Sequence, residues 1–145
     1  MQFWLFKSEP DVWSWDMQVA RGDAGEEWSG VRNYQARNNM RAMELGDRGF
    51  FYHSNIGKAV VGIVEVCALA HPDSTTDDPR WDCVDIRAVM PLPVPVTLEA
   101  CKADPRLASM ALVTNSRLSV QPVTPEEWDV ICTLGGLSPE LARAG

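Results

Sequence analysis

The segment Trp28–Asn39 (WSGVRNYQARNN) has the most unusual chemistry in the chain. It contains aromatic rings, amides and guanidinium groups, and it has no acidic residue. Aromatic faces can stack on a nucleic-acid base, amides can hydrogen-bond the base edge, and guanidinium groups can bind phosphate. The segment also spans a predicted helix N-terminus, where free backbone amides favour an anion. A base-binding site fits this composition, and an ordinary surface helix capped by Asn33 fits it equally well.

Two predicted strand ends carry further polar side chains. One strand ends in Tyr52–Asn55, immediately before a turn, and the N-terminal strand that contains Trp4 ends in Lys7–Glu9. Ligand contacts are common where strands give way to loops. A hydrogen-bonded histidine and a turn-forming asparagine would also explain the first strand end, and a core position would explain Trp4. Both strand ends are therefore candidates for a pocket wall, with a structural role as the alternative.

Six tryptophans in 145 residues is a high number, and their surroundings divide them into two groups. Trp13, Trp15 and Trp128 fall in amphipathic helical patterns and are most simply core residues. Trp28 and Trp81 lie in polar surroundings next to turns, so they are the better candidates for a stacking wall.

The chain lacks the common signatures of enzymes and metal sites. It has no G-x-S-x-G, P-loop or H-E-x-x-H motif. Two histidines, His53 and His71, are too few for a usual metal site unless carboxylates join them. The cysteines form no C-x-x-C pair and have apolar neighbours, which is typical of buried thiols in a reducing compartment. We therefore expect no catalytic residue, no metal and no cofactor.

The net charge of −7 argues against a large phosphate-binding surface. The charge is segregated, however, because residues 9–27 are strongly acidic whereas residues 32–41 contain Arg32, Arg37 and Arg41 and no acid. A local basic patch can still attract an anion, with strong salt dependence.

The length fits one domain, which we place at residues 1–136, followed by a loose tail at 137–145. Apolar residues make up 46 % of the chain, enough for a full core. The N-terminus has no basic region or cleavage site typical of a signal peptide, and no apolar run approaches the roughly 20 residues that span a bilayer. We expect a cytoplasmic protein that does not associate with a membrane.

The order of predicted elements indicates an α+β fold. Strands are predicted at Gln2–Lys7, Asp47–His53, Ala59–Leu69, Trp81–Val89 and Ser116–Val120. Helices are predicted at Val12–Ala20, Asn33–Glu44, Thr97–Lys102, Pro105–Met110 and from the capping box Thr124–Glu127 to Gly135. Three prolines at 91, 93 and 95 predict a stiff connector between elements. Five or more strands mixed with short helices favour a barrel-like domain.

Six strings of the sequence resemble the EVE domain family. They are FWLFKSEPDVWSW, WSGVRNYQARNNMRAM, GFFYHSN, GIVEV, DDPRWDCVDIRAV and LVTNSRLSVQPVTPEEWDVI, and they cover residues 2 to about 136 in order. The resemblance implies a PUA-like fold, a curved mixed β-barrel with flanking short helices, related to the YTH and ASCH domains. It also implies a reader of modified bases, chiefly modified cytosines, that binds nucleic acid without catalysis, with DNA favoured over RNA. A monomer is compatible with the sequence.

The resemblance also implies a set of site residues. The base or ligand pocket would be lined by Trp4, Lys7, Ser8, Glu9, Trp28, Val31, Arg32, Asn33, Tyr52, His53, Ser54, Asn55, Trp81 and Arg117. Phosphate would be bound by Lys7, Arg32, Arg37 and Arg41. In this hypothesis a base leaves its stack and is held between Trp28 and a second aromatic ring, which is Trp4, Tyr52 or Trp81.

Two other functions use the same residues. Glu9 beside Lys7 could act as a general acid or base, so hydrolysis of RNA or of a modified nucleoside, as in ASCH-like enzymes, is one alternative. The other is a sensor of a free nucleoside or small metabolite, which the acidic net charge favours.

Overall fold

A six-stranded mixed sheet forms the centre of the computed structural model, which describes residues 1–143. Its strands are β1 (Phe3–Ser8), β2 (Glu26–Glu27), β3 (Arg48–His53), β4 (Ala59–Pro72), β5 (Asp82–Thr97) and β6 (Val120–Val123). The spatial order is β2-β5-β4-β3-β1-β6; β1 and β3 are parallel, and every other pair is antiparallel. The predicted α+β class is confirmed. The sheet is not closed, because β2 and β6 form its two edges.

Six short helices surround the sheet. They are α1 (Trp15–Ala20), α2 (Tyr34–Ala42), α3 (Leu98–Ala103), α4 (Ala111–Thr114), α5 (Pro125–Leu134) and α6 (Pro139–Arg143). The predicted caps form: the side chains of Ser14 and Asn33 accept hydrogen bonds from the first turns of α1 and α2. Thr124 and Glu127 make the predicted reciprocal capping box of α5. None of the helices within residues 1–143 is long and apolar enough to cross a membrane.

Each face of the sheet carries its own hydrophobic core, because successive side chains of a strand point to opposite faces. Phe3 and Leu5 of β1 belong to one core, in which the ring of Trp128 is stacked at 4.3 Å from Phe3 and 4.2 Å from Phe50. Trp4 and Phe6 belong to the other core. The second core also contains Trp28 and supports the pocket described below.

Strand β5 extends through the prolines that were predicted to form a connector, so that prediction is wrong. Pro91 pairs with Gly62 of β4. Pro93 and Pro95 fall in the register shift between Val60 and Gly62, where the ladder is interrupted. Proline has no N–H to donate, and an irregularity of this kind is where a strand can accept it without losing a hydrogen bond.

The C-terminal part differs from the prediction in two ways. The last strand is β6 rather than Ser116–Val120, because the apolar pair Val120 and Val123 matches the register of β1. Residues 137–143 do not form a loose tail: Ala142 of α6 is fully buried, and the guanidinium of Arg143 lies over the ring of Phe3. Residues 144–145 of that predicted tail lie outside the described residues.

Candidate functional site

A pocket of about 460 Å³ opens beside the carboxyl end of β1. It is lined by Lys7, Ser8, Glu9, Val12, Trp13, Glu26, Glu27, Trp28, Ser29, Gly30, Val31, Arg32 and Ser119. Its volume is within the usual range for small-molecule sites. Of the residues predicted to line a pocket, the structure brings together Lys7, Ser8, Glu9, Trp28, Val31 and Arg32.

Trp28 is a rigid part of the pocket wall. Its ring packs edge to face against Phe6 and Phe51, with centroids 5.4 and 5.7 Å away, and 7 % of the residue remains exposed. Its backbone N–H donates to the carbonyl of Val84 at 2.9 Å, which continues the β2–β5 pairing. The core therefore determines the orientation of the indole in the pocket wall.

Trp13 is a second aromatic residue of the pocket, although its helical sequence pattern predicted a core position instead. It precedes α1, and Ser8 Oγ donates a hydrogen bond to its carbonyl. Its indole Nε1 donates to Gln18 Oε1 at 2.9 Å, and the buried Gln18 amide donates to the Ile86 carbonyl at 3.0 Å. The position of Trp13 depends on these side-chain hydrogen bonds, which helical periodicity does not indicate.

The carboxylate of Asp73 holds the segment from Gly30 to Arg32 in place. Its Oδ2 accepts from the Gly30 N–H at 2.8 Å and from Arg32 Nη1 at 3.0 Å, while its Oδ1 accepts from Thr75. Gly30 has a φ of +83°, in the left-handed region that favours glycine. Burial raises the pKa of Asp73, but the hydrogen bonds from Thr75, Gly30 and Arg32 outweigh it and hold the pKa well below its usual range. No sequence motif pointed to Asp73.

The pocket contains both cations and carboxylates. Lys7 Nζ donates to the Ser116 carbonyl at 3.1 Å, and burial lowers the pKa of this half-buried amine. Glu27 accepts from the backbone and hydroxyl of Ser74. The Glu9 side chain makes no hydrogen bond or ion pair within residues 1–143, and Glu26 has only Arg21 at 4.0 Å. Glu9 and Glu26 can therefore accept hydrogen bonds from a ligand.

Two predicted pocket residues belong to the core instead, which corrects the prediction. Trp4 is 3 % exposed, and its indole N–H donates to the buried Asp47 carboxylate at 3.0 Å. Tyr52 is also 3 % exposed and packs in the opposite core. Neither ring can stack on a ligand in this conformation.

Four more predicted residues have local structural roles outside the pocket. Asn33 caps α2 by accepting from the Ala36 N–H, and His53 Nε2 accepts from the Trp15 N–H at 3.0 Å. The Ser54 N–H donates to the Ser8 carbonyl, and Asn55 adopts a φ of +67° in the β3–β4 turn. Asn55 lines a separate open cavity of about 470 Å³ with Lys58, Thr97 and Lys102, among others. Arg117 is exposed and lies outside the pocket lining.

The remaining predicted residues form an aromatic and basic surface next to the pocket. Trp81 stacks on Tyr34 with centroids 5.0 Å apart, and the Arg37 guanidinium lies 4.8 Å over the Tyr34 ring. Arg32 lies 5.4 Å over the Trp81 ring and also lines the pocket, so it connects the two regions. Arg41 is paired with Asp82 at 2.7 Å. We refer to Tyr34, Trp81 and these three arginines as the arginine face.

The comparisons with known proteins agree on one family. The sequence model of the EVE domain family matches residues 2–134. Thymocyte nuclear protein 1 of Mus musculus is 38 % identical over 94 % of this chain and 75 % of its own length. A crystal structure of an Agrobacterium tumefaciens protein is 66 % identical with a TM-score of 0.94, and covers 95 % of each chain. Human THYN1 protein, solved in complex with 5-methylcytosine-containing DNA, is 34 % identical with a TM-score of 0.87 over 93 % of this chain and 98 % of that one. The chain therefore belongs to the EVE domain family.

Proposed function

We propose that this protein binds nucleic acid and holds one modified base, a modified cytosine, in the pocket between Trp13 and Trp28. The observation that carries the proposal is a pocket of base-binding size with two tryptophans in its lining, in a chain similar to a human protein solved with 5-methylcytosine-containing DNA. Stacking on an aromatic side chain contributes about 1–3 kcal/mol per base.

The carboxylates of the pocket favour a base with an exocyclic amino group. Glu9 and Glu26 can accept from the N4 amine of cytosine, which is the usual contact between a carboxylate and that base. Thymine presents a carbonyl at the same position, and the carboxylates would repel it. In this proposal the base edge meets Glu9, which follows β1, and Glu26 of β2. Asn33, Ser54 and Asn55, which were also predicted to line the pocket, lie outside its lining.

Four cations in and next to the pocket support binding of the flanking phosphates. Lys7 and Arg32 line the pocket itself, and Arg37 and Arg41 continue the arginine face. Arg32 and Arg41 are already paired with carboxylates, so each phosphate must compete with an internal acid. We therefore expect moderate affinity with few phosphate contacts.

Fluorescence anisotropy with labelled oligonucleotides tests the proposal. Oligonucleotides that differ only in one base, cytosine, 5-methylcytosine or thymine, separate the contribution of the methyl group from that of the amine. Burying the methyl should improve affinity about fourfold, and replacing the amine should weaken it by about tenfold or more. Equal affinity for all three bases would contradict base capture.

Variants then locate the site. Trp13→Ala and Trp28→Ala should each weaken binding about 5- to 150-fold, whereas Tyr34→Ala, an aromatic control outside the pocket lining, should have a smaller effect. Because Trp28 packs on the core, Trp28→Phe and a thermal melt of each variant distinguish loss of stacking from loss of folding. A larger effect at Tyr34 than at either tryptophan would move the base to the arginine face.

A further inference from the structure

Three side chains with metal-binding atoms converge on the face of the sheet beside the pocket. A carboxylate oxygen of Glu27, a ring nitrogen of His71 and the sulfur of Cys83 all lie within 4.8 Å of one another. The register explains this arrangement: His71 is opposite Cys83 in the β4–β5 pair, and Glu27 is opposite Asp85 in the β2–β5 pair. Cys83 and Asp85 are two residues apart on β5, so their side chains share one face.

We propose that Glu27, His71 and Cys83 form a binding site for a zinc ion. Thiolate, imidazole and carboxylate are the three kinds of ligand that zinc takes in proteins, and three such donors leave one position of a four-coordinate ion for water. Two histidines alone predicted no metal site unless carboxylates join them. The fold supplies the carboxylate and the thiol from two other strands.

The distances are close to those that zinc requires. Ligand atoms in a tetrahedral zinc site lie about 3.5 Å apart, as follows from the metal–ligand bond lengths. Glu27 Oε1 and Cys83 Sγ are 3.3 Å apart. The widest separation in the cluster must shorten by roughly 1 Å, which rotation of the partly exposed His71 side chain can provide. The same exposure gives the ion access from solvent.

The surroundings of the cluster suit a metal ligand. His71 Nε2 lies 2.7 Å from Asp85 Oδ1, and His71 Nδ1 lies 3.1 Å from the Pro72 carbonyl. Whichever nitrogen binds the metal, the other keeps an oxygen acceptor that orients the ring, as is usual for metal-bound histidine. Glu27 is oriented in the same way by the two hydrogen bonds from Ser74.

Binding exchanges a proton for the metal. Without the ion the Cys83 thiol donates its hydrogen bond to Glu27. Zinc displaces the thiol proton to solvent as the Zn–S bond forms, and no oxidant or reductant takes part. The bound ion would tie the two-residue strand β2 to β4 and β5, next to Trp28.

Titration of the full-length, chelator-treated protein with Co²⁺ and then Zn²⁺ tests the site. We expect one Co²⁺ per chain, a near-ultraviolet band from thiolate-to-cobalt charge transfer, loss of the band when Zn²⁺ is added, and a higher Tm with Zn²⁺. Cys83→Ser should abolish the band, and His71→Gln should weaken Zn²⁺ binding by about tenfold or more. The control is Cys67→Ser, a partly buried thiol of β4 outside the cluster, and this variant should behave as the wild type.

The outcomes are distinct. Absence of saturable binding by a folded wild-type protein would overturn the proposal, as would a charge-transfer band that survives in Cys83→Ser and disappears in Cys67→Ser. If Cys83→Ser does not fold, the His71→Gln variant decides, because the His71 side chain is partly exposed and its replacement should leave the fold intact. Unaltered zinc affinity in His71→Gln would also overturn the proposal. The site does not depend on nucleic-acid binding, so its test is independent of the oligonucleotide titrations.

Discussion

Replacing Asp73 with alanine should loosen one wall of the pocket and lower the stability of the protein. Asp73 is 2 % exposed and accepts hydrogen bonds from Gly30, Arg32 and Thr75. Within residues 1–143, the Gly30 N–H has no hydrogen-bond acceptor other than this carboxylate. The substitution therefore removes the hydrogen bonds of Asp73 with Gly30 and Arg32. The contacts of Ser74 with Glu27 and of Thr75 with Arg32 remain, so we expect this pocket wall to loosen without detaching.

The magnitude follows from the burial of each partner. Leaving the partly buried Gly30 N–H without an acceptor costs about 1–3 kcal/mol, and the lost Thr75 hydrogen bonds contribute about 1 kcal/mol. The ion pair with Arg32 adds less than about 1 kcal/mol, because 39 % of the Arg32 side chain is exposed and solvent screens it. The free energy of unfolding should fall by roughly 2–5 kcal/mol in total.

Urea denaturation with a chelator present measures this change without any contribution from bound metal. The matched control is Asp77→Ala, an exposed carboxylate without a hydrogen bond or ion pair in the described residues, which should alter stability by no more than about 0.5 kcal/mol. Folded Asp73→Ala should also bind the 5-methylcytosine oligonucleotide more weakly than Asp77→Ala. A loss of less than about 1 kcal/mol, together with unchanged oligonucleotide affinity, would refute the role of Asp73 as the support of the pocket wall.

Three further predictions concern single residues. Lys7→Gln should reduce the slope of log affinity against log salt concentration by about 0.7–0.9, the value of one phosphate contact; an unchanged slope would remove Lys7 from the phosphate site. Burial lowers the pKa of His53 in the folded protein. The unfolded chain, in which the histidine pKa is about 6.5, therefore takes up a proton first as the pH falls, and the folded state loses stability below that pH. Urea midpoints at pH 7, 6 and 5 should therefore decline more steeply for the wild type than for His53→Gln, and parallel declines would contradict this. Gly62→Ala would place a Cβ 2.4 Å from the buried Trp15 ring and should cost about 1–3 kcal/mol of stability by thermal or urea unfolding; unchanged stability would show that the Trp15 ring moves aside.

Local signals predicted most of the elements. The capping residues Ser14, Asn33 and Thr124 mark the beginnings of α1, α2 and α5, because each satisfies a free helix amide through a side chain close in sequence. The extent of β5 and the position of β6 could not be predicted in the same way, since they depend on register against distant strands.

The difference between local signals and distant contacts also explains which site residues could be predicted. Lys7, Trp28 and Arg32 were identified because strand ends and mixed aromatic and basic segments are typical of binding sites. Trp4 and Tyr52 were misplaced because both faces of the sheet are covered, so alternation along a strand does not show which ring meets solvent. Asp73 and the Glu27–His71–Cys83 cluster depend on contacts between residues far apart in sequence, such as Gly30 with Asp73, which no local pattern indicates. Trp13 lies just before α1, and its indole is positioned by Gln18, which in turn is held by the distant Ile86 carbonyl.

The most direct test of base capture is a ¹H–¹⁵N spectrum of the six tryptophan indole N–H groups, recorded with and without the 5-methylcytosine oligonucleotide. Single Trp→Phe variants assign the signals. Trp4 and Trp128 serve as internal controls, because both are buried in the cores away from the pocket. We predict large shifts for Trp13 and Trp28, smaller shifts for Trp81, and almost none for the two controls. Shifts at Trp81 with no change at Trp13 and Trp28 would contradict the account, because the nucleic acid would then contact the arginine face and leave the pocket empty.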